Sequence, residues 1–286
     1  MAKKLISAVL ALGGAAAAYG FYQNNFLQIS RRFVRADIEK PLRLLVLSDL
    51  HGKQFGKGSC RLIKNAAALY PDVILFTGDT ISSDCKNLGS TLANLKKLCK
   101  IAPCFLIPGN HEHRSGRWNE IKQKISDLGV IVLENERWSG AINGVSVNIL
   151  GLNEKIAISR IDYIKSFFGC LRYPDNSELL KDLQQQDGAK LVLCHFPECF
   201  VKSEYCRFNF DLMLSGHAHG GHFRLNDHIA FFAAGQGFLP KFCQGLYGSR
   251  PRLFVSRGLG NDSPLPRINN RPEMALITLL PKITHN

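Results

Sequence analysis

Apolar residues in this chain gather into short runs, each closed by a polar or glycine-bearing cluster, and the runs alternate with stretches of helical periodicity. The mostly apolar runs at 44–47, 73–76, 104–107, 130–133, 145–150, 190–194, 212–215, 253–256 and 274–279 predict strands. Between them, Leu62, Ile63, Ala66 and Ala67 stand at helical spacing behind Ser59, a candidate cap, and ahead of Pro71, which stops a helix. Comparable periodicity marks helices over 88–100, 118–128 and 177–186. Strands alternating with helices point to a layered α/β domain rather than a bundle or an all-β barrel. Residues 154–177 follow neither period and read as a loop or lid.

One stretch differs in kind. After Lys3 and Lys4, the segment 5–22 carries no charge, and none follows until Arg31. Roughly 20 such residues span a bilayer core. Ala16, Ala17 and Ala18 suit the cleavage site of a signal peptide. An uncleaved transmembrane anchor is favoured, because the apolar run continues through Tyr19, Phe21 and Tyr22 towards Phe26, as if into an aromatic interface. A buried helix fits less well, for no polar face is present. Arg31, Arg32 and Arg35 outnumber Lys3 and Lys4, which places the body on the cytoplasmic face, with export as the alternative. The expected organisation is an anchor or signal segment at 1–30, a basic linker at 31–41 and a catalytic domain at 42–286.

Composition narrows the field without choosing a function. With 286 residues, 45% hydrophobic and 21% charged, the chain is neither disordered nor a multi-span membrane protein. Nine cysteines without a CxxC pair suit free thiols in a reducing compartment. The net charge of +13 admits nucleic acid, a phosphorylated substrate or an anionic membrane as partner, or simply a solvated basic surface.

The chemistry lies where the strands end. Asp49 and His51 follow the first run, Gly78 and Asp79 the next, and Gly109, Asn110 and His111 the third. His195 follows 190–194, and Gly216, His217 and His219 follow 212–215. Sites in layered α/β folds lie outside the carboxyl ends of strands, so these side chains are placed to converge. Carboxylate, amide oxygen and imidazole together suit divalent transition ions without any thiolate. Gly78, Gly109 and Gly216 permit the tight turns and close backbone approach that such ligands require.

The order Asp49-x-His51, Gly78-Asp79, Gly109-Asn110-His111-Glu112, His195 and Gly216-His217-Ala218-His219 resembles the calcineurin-like metallophosphoesterase superfamily. The stretches 215–221, 244–247 and 254–260 resemble its bacterial membrane-associated phosphodiesterase branch. The resemblance implies a four-layer α/β/β/α sandwich holding two divalent metal ions, of Mn, Fe or Zn type. Matched residue by residue, it gives Asp49, His51 and His219 to one ion, Asn110, His195 and His217 to the other, and Asp79 to both. His111 takes the catalytic histidine's place, with Glu112 where Asp is commoner, available to orient it. Two departures stand out: Ser82 where the family places a second Asp, and His222 where the branch has Gln.

The implied reaction is hydrolysis of a phosphodiester or pyrophosphate by water that the ion pair activates, with Arg114 and Arg257 as candidate phosphate holders. An anchored basic body suits a membrane-associated or lipid-linked phosphoester such as a UDP-diacylglucosamine. A nuclease is the rival reading, but no stretch interleaves aromatics with basic residues as single-strand binding wants. A non-catalytic scaffold fits less well, since scaffolds lose ligands and all seven are present here.

Overall fold

The computed structural model describes residues 1–155, 165, 171–227, 229–261 and 266–282. Most of the expected loop or lid at 154–177 lies outside the described residues. Helix α1 spans Ala2–Asn25, followed by strands β1 (Gln28–Ala36) and β2 (Leu42–Leu47), helix α2 (Cys60–Ala68) and β3 (Val73–Thr77). Then come α3 (Leu88–Leu98), β4 (Cys104–Ile107), α4 (Asn110–Arg114), α5 (Trp118–Ser126), β5 (Ile131–Val132), β6 (Glu136–Ile142) and β7 (Val145–Gly151). Beyond these lie α6 (Ser177–Gln184), β8 (Ala189–Leu193), α7 (Cys199–Lys202), β9 (Leu212–Ser215), β10 (Phe232–Ala233), β11 (Gly237–Phe238), β12 (Gly245–Tyr247), β13 (Arg252–Val255) and β14 (Glu273–Pro281).

Two six-stranded sheets form, in the orders β1-β14-β2-β3-β4-β5 and β12-β13-β9-β8-β7-β6. Strands β2 to β5 run parallel in the first, and β13, β9, β8 and β7 in the second. Strand alternation explains the layering. In β2, Leu42, Leu44 and Val46 face the other sheet, whereas Leu45 and Leu47 face Leu62 and Ala66 of α2, Leu95 and Leu98 of α3, and Ile121 and Ile125 of α5. In β8, Ala189, Leu191 and Leu193 meet the first sheet, while Val192 faces Leu180 and Leu183 of α6. Three apolar seams therefore separate four layers, helix, sheet, sheet and helix, as the resemblance implied.

Four local expectations are corrected. Residues 31–41 are largely strand rather than linker: β1 pairs in parallel with β14 along its whole length. Only Ser30, Val34 and Ala36 of β1 are buried, and its outward positions carry Arg31, Arg32 and Arg35, as edge strands tolerate, so the apolar signal is weak. Ser59 precedes α2 but makes no cap; its Oγ donates to Gln54 and accepts from Asn94 Nδ2 at 2.9 Å, tying α3 to the loop before α2. The helices expected over 88–100, 118–128 and 177–186 end two residues earlier, at Leu98, Ser126 and Gln184. Strand β6 escaped notice because most of its residues are exposed and lack an apolar run.

Candidate metal centre

The parallel strands β2, β3 and β4 of one sheet and β8 and β9 of the other end at a common edge. Each delivers polar side chains there within four residues of its last strand position. Asp49, His51, Asp79, Asn110, His111, His195, His217 and His219 are all buried. Asp49, His51, Asp79, His217 and His219 also have φ between 47° and 63°, a region that non-glycine residues rarely enter. Backbone strain concentrated on one side-chain cluster is usual where the surroundings force a functional geometry.

The structure brings all eight predicted residues together. Asp49, His51 and His219 offer ligand atoms within 4.8 Å of one another, as do Asp79, His195 and His217, and as do His51, Asp79 and His111. His51 Nε2 lies 3.2 Å from His219 Nε2, which in turn lies 3.6 Å from Asp49 Oδ1. On the other side His195 Nε2 lies 3.3 Å from Asp79 Oδ2 and 3.2 Å from Asn110 Oδ1. Asp79 Oδ2 is also 3.9 Å from His51 Nε2, so one carboxylate stands between the two groups.

Surrounding groups orient these ligands. His195 Nδ1 donates to the Thr77 carbonyl at 2.8 Å, which leaves Nε2 facing Asp79 and Asn110, the usual arrangement behind a metal-binding imidazole. The His217 amide donates to Asp49 Oδ1 at 3.0 Å and the His111 amide to Asp79 Oδ1 at 2.8 Å. Three glycines let the turns close. A Cβ on Gly78 would stand 2.5 Å from His195 Nδ1, one on Gly216 2.5 Å from Asp49 Oδ2, and one on Gly109 2.7 Å from the Asp79 nitrogen.

Charge in the pocket is unbalanced in a way that suits cations. Burial raises the Asp49 carboxyl to about 6, against the pull of His195. Burial also works against charge on Asp79, but His195, His111 and His51 outweigh it and hold its carboxyl well below the usual range. His195 is likewise disfavoured as a cation by burial, yet Asp79 and Asp49 raise it to about 10; an ion at Nε2 would take that proton's place beside the two carboxylates. His217 and His219 are driven well below their ordinary value by burial, then by His195 and His51 respectively, and stay neutral, as metal ligation requires. Asp49 Oδ2 and His217 Nε2 are buried without a hydrogen-bond partner, a costly condition that a bound cation removes. The donor set therefore fits divalent ions.

Other expectations fare differently. Glu112 does not orient His111: its carboxylate accepts from the amides of Gly109, Asp79 and Ile81 at 2.8, 2.9 and 3.0 Å, locking the two ligand-bearing turns together. His111 Nδ1 instead accepts from the Ser83 amide at 3.2 Å, and Arg114 Nη1 stands 3.5 Å from Nε2. Arg257 is no open phosphate holder, because it is buried and its Nη2 lies 3.5 Å from Glu273 Oε1. Ser82 turns to Asp84 at 2.7 Å. His222 stacks on His219, with ring centroids 5.3 Å apart and planes 12° from parallel.

Sequence reasoning missed Arg267 and Asn270, both fully buried. Arg267 Nη2 lies 3.4 Å from His219 Nδ1, and Asn270 Nδ2 donates to the His219 carbonyl at 2.7 Å. They precede a strand rather than follow one, so the strand-end rule does not find them. A second buried group, Glu154, Cys194 and Cys199, also lies within 4.8 Å, with Cys194 Sγ donating to Glu154 Oε1 at 2.5 Å.

A two-sheet sandwich with carboxylates and imidazoles converging beyond its parallel strands is the architecture of a metal-dependent phosphoesterase. The chain belongs to the calcineurin-like phosphoesterase family, which matches residues 42–221. It is 30% identical to phosphodiesterase YaeI of Escherichia coli over 85% of this chain and 84% of that protein. It is 27% identical to an uncharacterized metallophosphoesterase of Campylobacter jejuni over 85% of this chain, but spans only 60% of that protein's length. Among solved structures, the sulfate thiohydrolase SoxB of Thermus thermophilus superposes with a TM-score of 0.51 at 13% identity, covering 84% of this chain and 56% of that one, a likeness of fold.

Proposed function

We propose that the chain is a dinuclear metal phosphohydrolase acting on a phosphodiester or pyrophosphate at a membrane, to which α1 tethers it. Asp49, His51 and His219 hold one divalent ion, Asn110, His195 and His217 hold the other, and Asp79 serves both. The observation that carries this reading is the meeting of six buried donor residues around the Asp79 carboxylate, with two donor atoms left partnerless. When bound, the ions supply Lewis acidity toward phosphoryl oxygens and lower the pKa of a water.

The chain's own groups do the rest. Because the Ser83 amide donates to His111 Nδ1, the neutral ring carries its proton on Nε2. From there it passes to the leaving oxygen, a contribution of roughly 10² to 10⁴ in rate. Arg114, beside that atom, holds a phosphoryl oxygen within reach of the proton. Glu112 keeps Asp79 and the Gly109 turn in register.

The anchor rests on Lys3–Asn25, a helix long and apolar enough to cross a bilayer, whose most apolar 18-residue window is unburied by the rest of the chain. A tethered basic body suits a lipid-linked phosphoester of UDP-diacylglucosamine type better than a nucleic acid. The test is a hydrolysis panel of aryl phosphodiesters, nucleotide-linked lipids and oligonucleotides, with metal analysis of the same preparation. Turnover of diesters and lipid-linked pyrophosphates that chelation abolishes is expected. Metal-free protein inert to all of them, or turnover confined to oligonucleotides, contradicts the reading.

A further inference from the structure

Among the described residues beyond α1, more than half of the exposed large apolar side chains lie in one segment. Phe223, Leu225, Ile229, Phe231, Phe238 and Leu239 are all exposed, Phe238 at 64% and Leu239 at 72%. Their rings pack on one another rather than into the core: Phe231 meets Phe238 edge-on at 5.3 Å and Phe223 at 6.4 Å. The base beneath them is firm. Ala230 and Ala233 are buried in the seam behind the second sheet, β10 pairs with β11, and fully buried Arg224 donates to the Gly220 and Asp227 carbonyls at 2.8 and 2.6 Å. Rigidly mounted, contiguous apolar side chains on a surface mark a contact site rather than incidental exposure.

What covers them follows from their neighbour. The end of α1 is fastened to the strip 267–270: Asn24 Oδ1 accepts from the Arg267 amide at 3.0 Å, and Gln23 Oε1 accepts from the Asn270 amide at 3.1 Å. From that strip a backbone ladder leads straight to the aromatic patch. Arg224 N donates to the Ile268 carbonyl at 3.0 Å, Phe231 N to Phe223 O at 2.8 Å and Leu239 N to Phe231 O at 3.0 Å. Three steps of strand spacing put Leu239 roughly 15 Å from the strip. The last turns of α1 expose Tyr19, Phe21 and Tyr22, with the Arg271 guanidinium 4.8 Å from the Tyr22 ring, the composition of a membrane interface. Exposed Lys241, next to the patch, adds a cation suited to anionic headgroups.

We propose that the hairpin β10–β11 and its flanking aromatics form a second membrane contact, dipping into the same leaflet that α1 enters and holding the metal centre against it. This rests on the tethered reading above and sharpens it. Phe223 directly follows His222, whose ring stacks on His219, so the mouth of the centre lies at headgroup depth. The substrate is then a phosphoester hydrolysed while its acyl chains stay in the bilayer.

The test uses the full chain in vesicles of phosphatidylcholine and phosphatidylglycerol, with bromine on the phosphatidylcholine acyl chains, and the single substitutions Phe21→Trp and Phe238→Trp. Both added indoles should lose on the order of half their emission relative to unbrominated vesicles, as interfacial burial requires. Quenching at position 21 alone overturns the hairpin contact and leaves the anchor standing. Quenching at neither position overturns the anchor and this inference with it. An indole at position 238 that brominated lipid does not quench but that is shielded from aqueous iodide, with crosslinked pairs of chains, means that a second copy covers the patch and also refutes the proposal. In a second measurement, the combined substitution Phe231→Ser, Phe238→Ser and Leu239→Ser should lower hydrolysis of a vesicle-borne diester about tenfold and leave a soluble aryl diester unaffected. Equal loss on both substrates contradicts a membrane role.

Discussion

Gly109→Ala adds one methyl group at a place where the backbone conformation would tolerate it, since Gly109 has a φ of −108°. Space is the obstacle. The new Cβ would stand 2.7 Å from the Asp79 nitrogen and 2.9 Å from Asp79 Cγ, where ordinary contact begins near 3.4 Å. Asp79 must therefore retreat by about 0.7 Å at its nitrogen, an overpacking strain of roughly 1–3 kcal/mol. It cannot retreat freely, because Glu112 grips its amide at 2.9 Å and its Oδ1 accepts from the His111 amide at 2.8 Å. Metal–ligand distances tolerate only about 0.2 Å, so the shift is several times what the centre can absorb. The variant should stay folded, melting lower by roughly 2–6 °C. It should bind divalent ions about 10- to 100-fold more weakly by calorimetry, as loss of ligand placement does elsewhere. Gly89→Ala is the control: it lies in α3 with nothing within 4 Å, so it should bind metal normally and gain up to about 1 kcal/mol of helix stability. Unchanged metal affinity in Gly109→Ala would refute the idea that the Asp79 turn shapes the centre.

Other expectations follow from the same geometry. His111→Ala should keep both ions by elemental analysis and lose turnover by roughly 10² to 10⁴, whereas metal loss would make it a ligand. Asp79→Asn should weaken both sites together, and retention of two tightly bound ions would rule out a shared carboxylate. Burial pushes Glu198 up to about 7, and its Oε1 has no hydrogen-bond partner. The folded state thus binds a proton that the unfolded state releases near 4.5, so stability should fall as pH rises from about 4.5 to about 7. Glu198→Gln should consequently raise the melting temperature at pH 8 but scarcely at pH 4.5; equal gains at both would contradict the buried charge. Removal of residues 1–30 would at first sight release a soluble domain, but it also deletes Gln23, Asn24 and the first residues of β1. Asn24→Ala alone should cost about 1 kcal/mol in chemical denaturation, and no loss would mean that α1 is only a tether.

Much of the centre was legible because each ligand follows a buried strand, and a run such as 73–76 announces both its own burial and the place where the chain must turn. The glycines were legible for the same reason: no other residue lets Gly109 approach Asp79 so closely. What escaped was whatever lacked local periodicity. Strand β1 hides its alternation under Arg31, Arg32 and Arg35, and its partner β14 lies at the far end of the chain. Glu112 looked like a neighbour of His111, but its side chain reaches back to the Asp79 turn, a choice that only tertiary packing reveals. Arg267 and Asn270 act on His219 from a segment that no spacing rule connects to it.

The most direct test is the anomalous difference density of a crystal grown with Mn²⁺, measured near the manganese absorption edge. The account predicts two peaks roughly 3.5–4 Å apart, with Asp79 between them, Asp49, His51 and His219 around one and Asn110, His195 and His217 around the other. A single peak, or density confined to Glu154, Cys194 and Cys199, would contradict it.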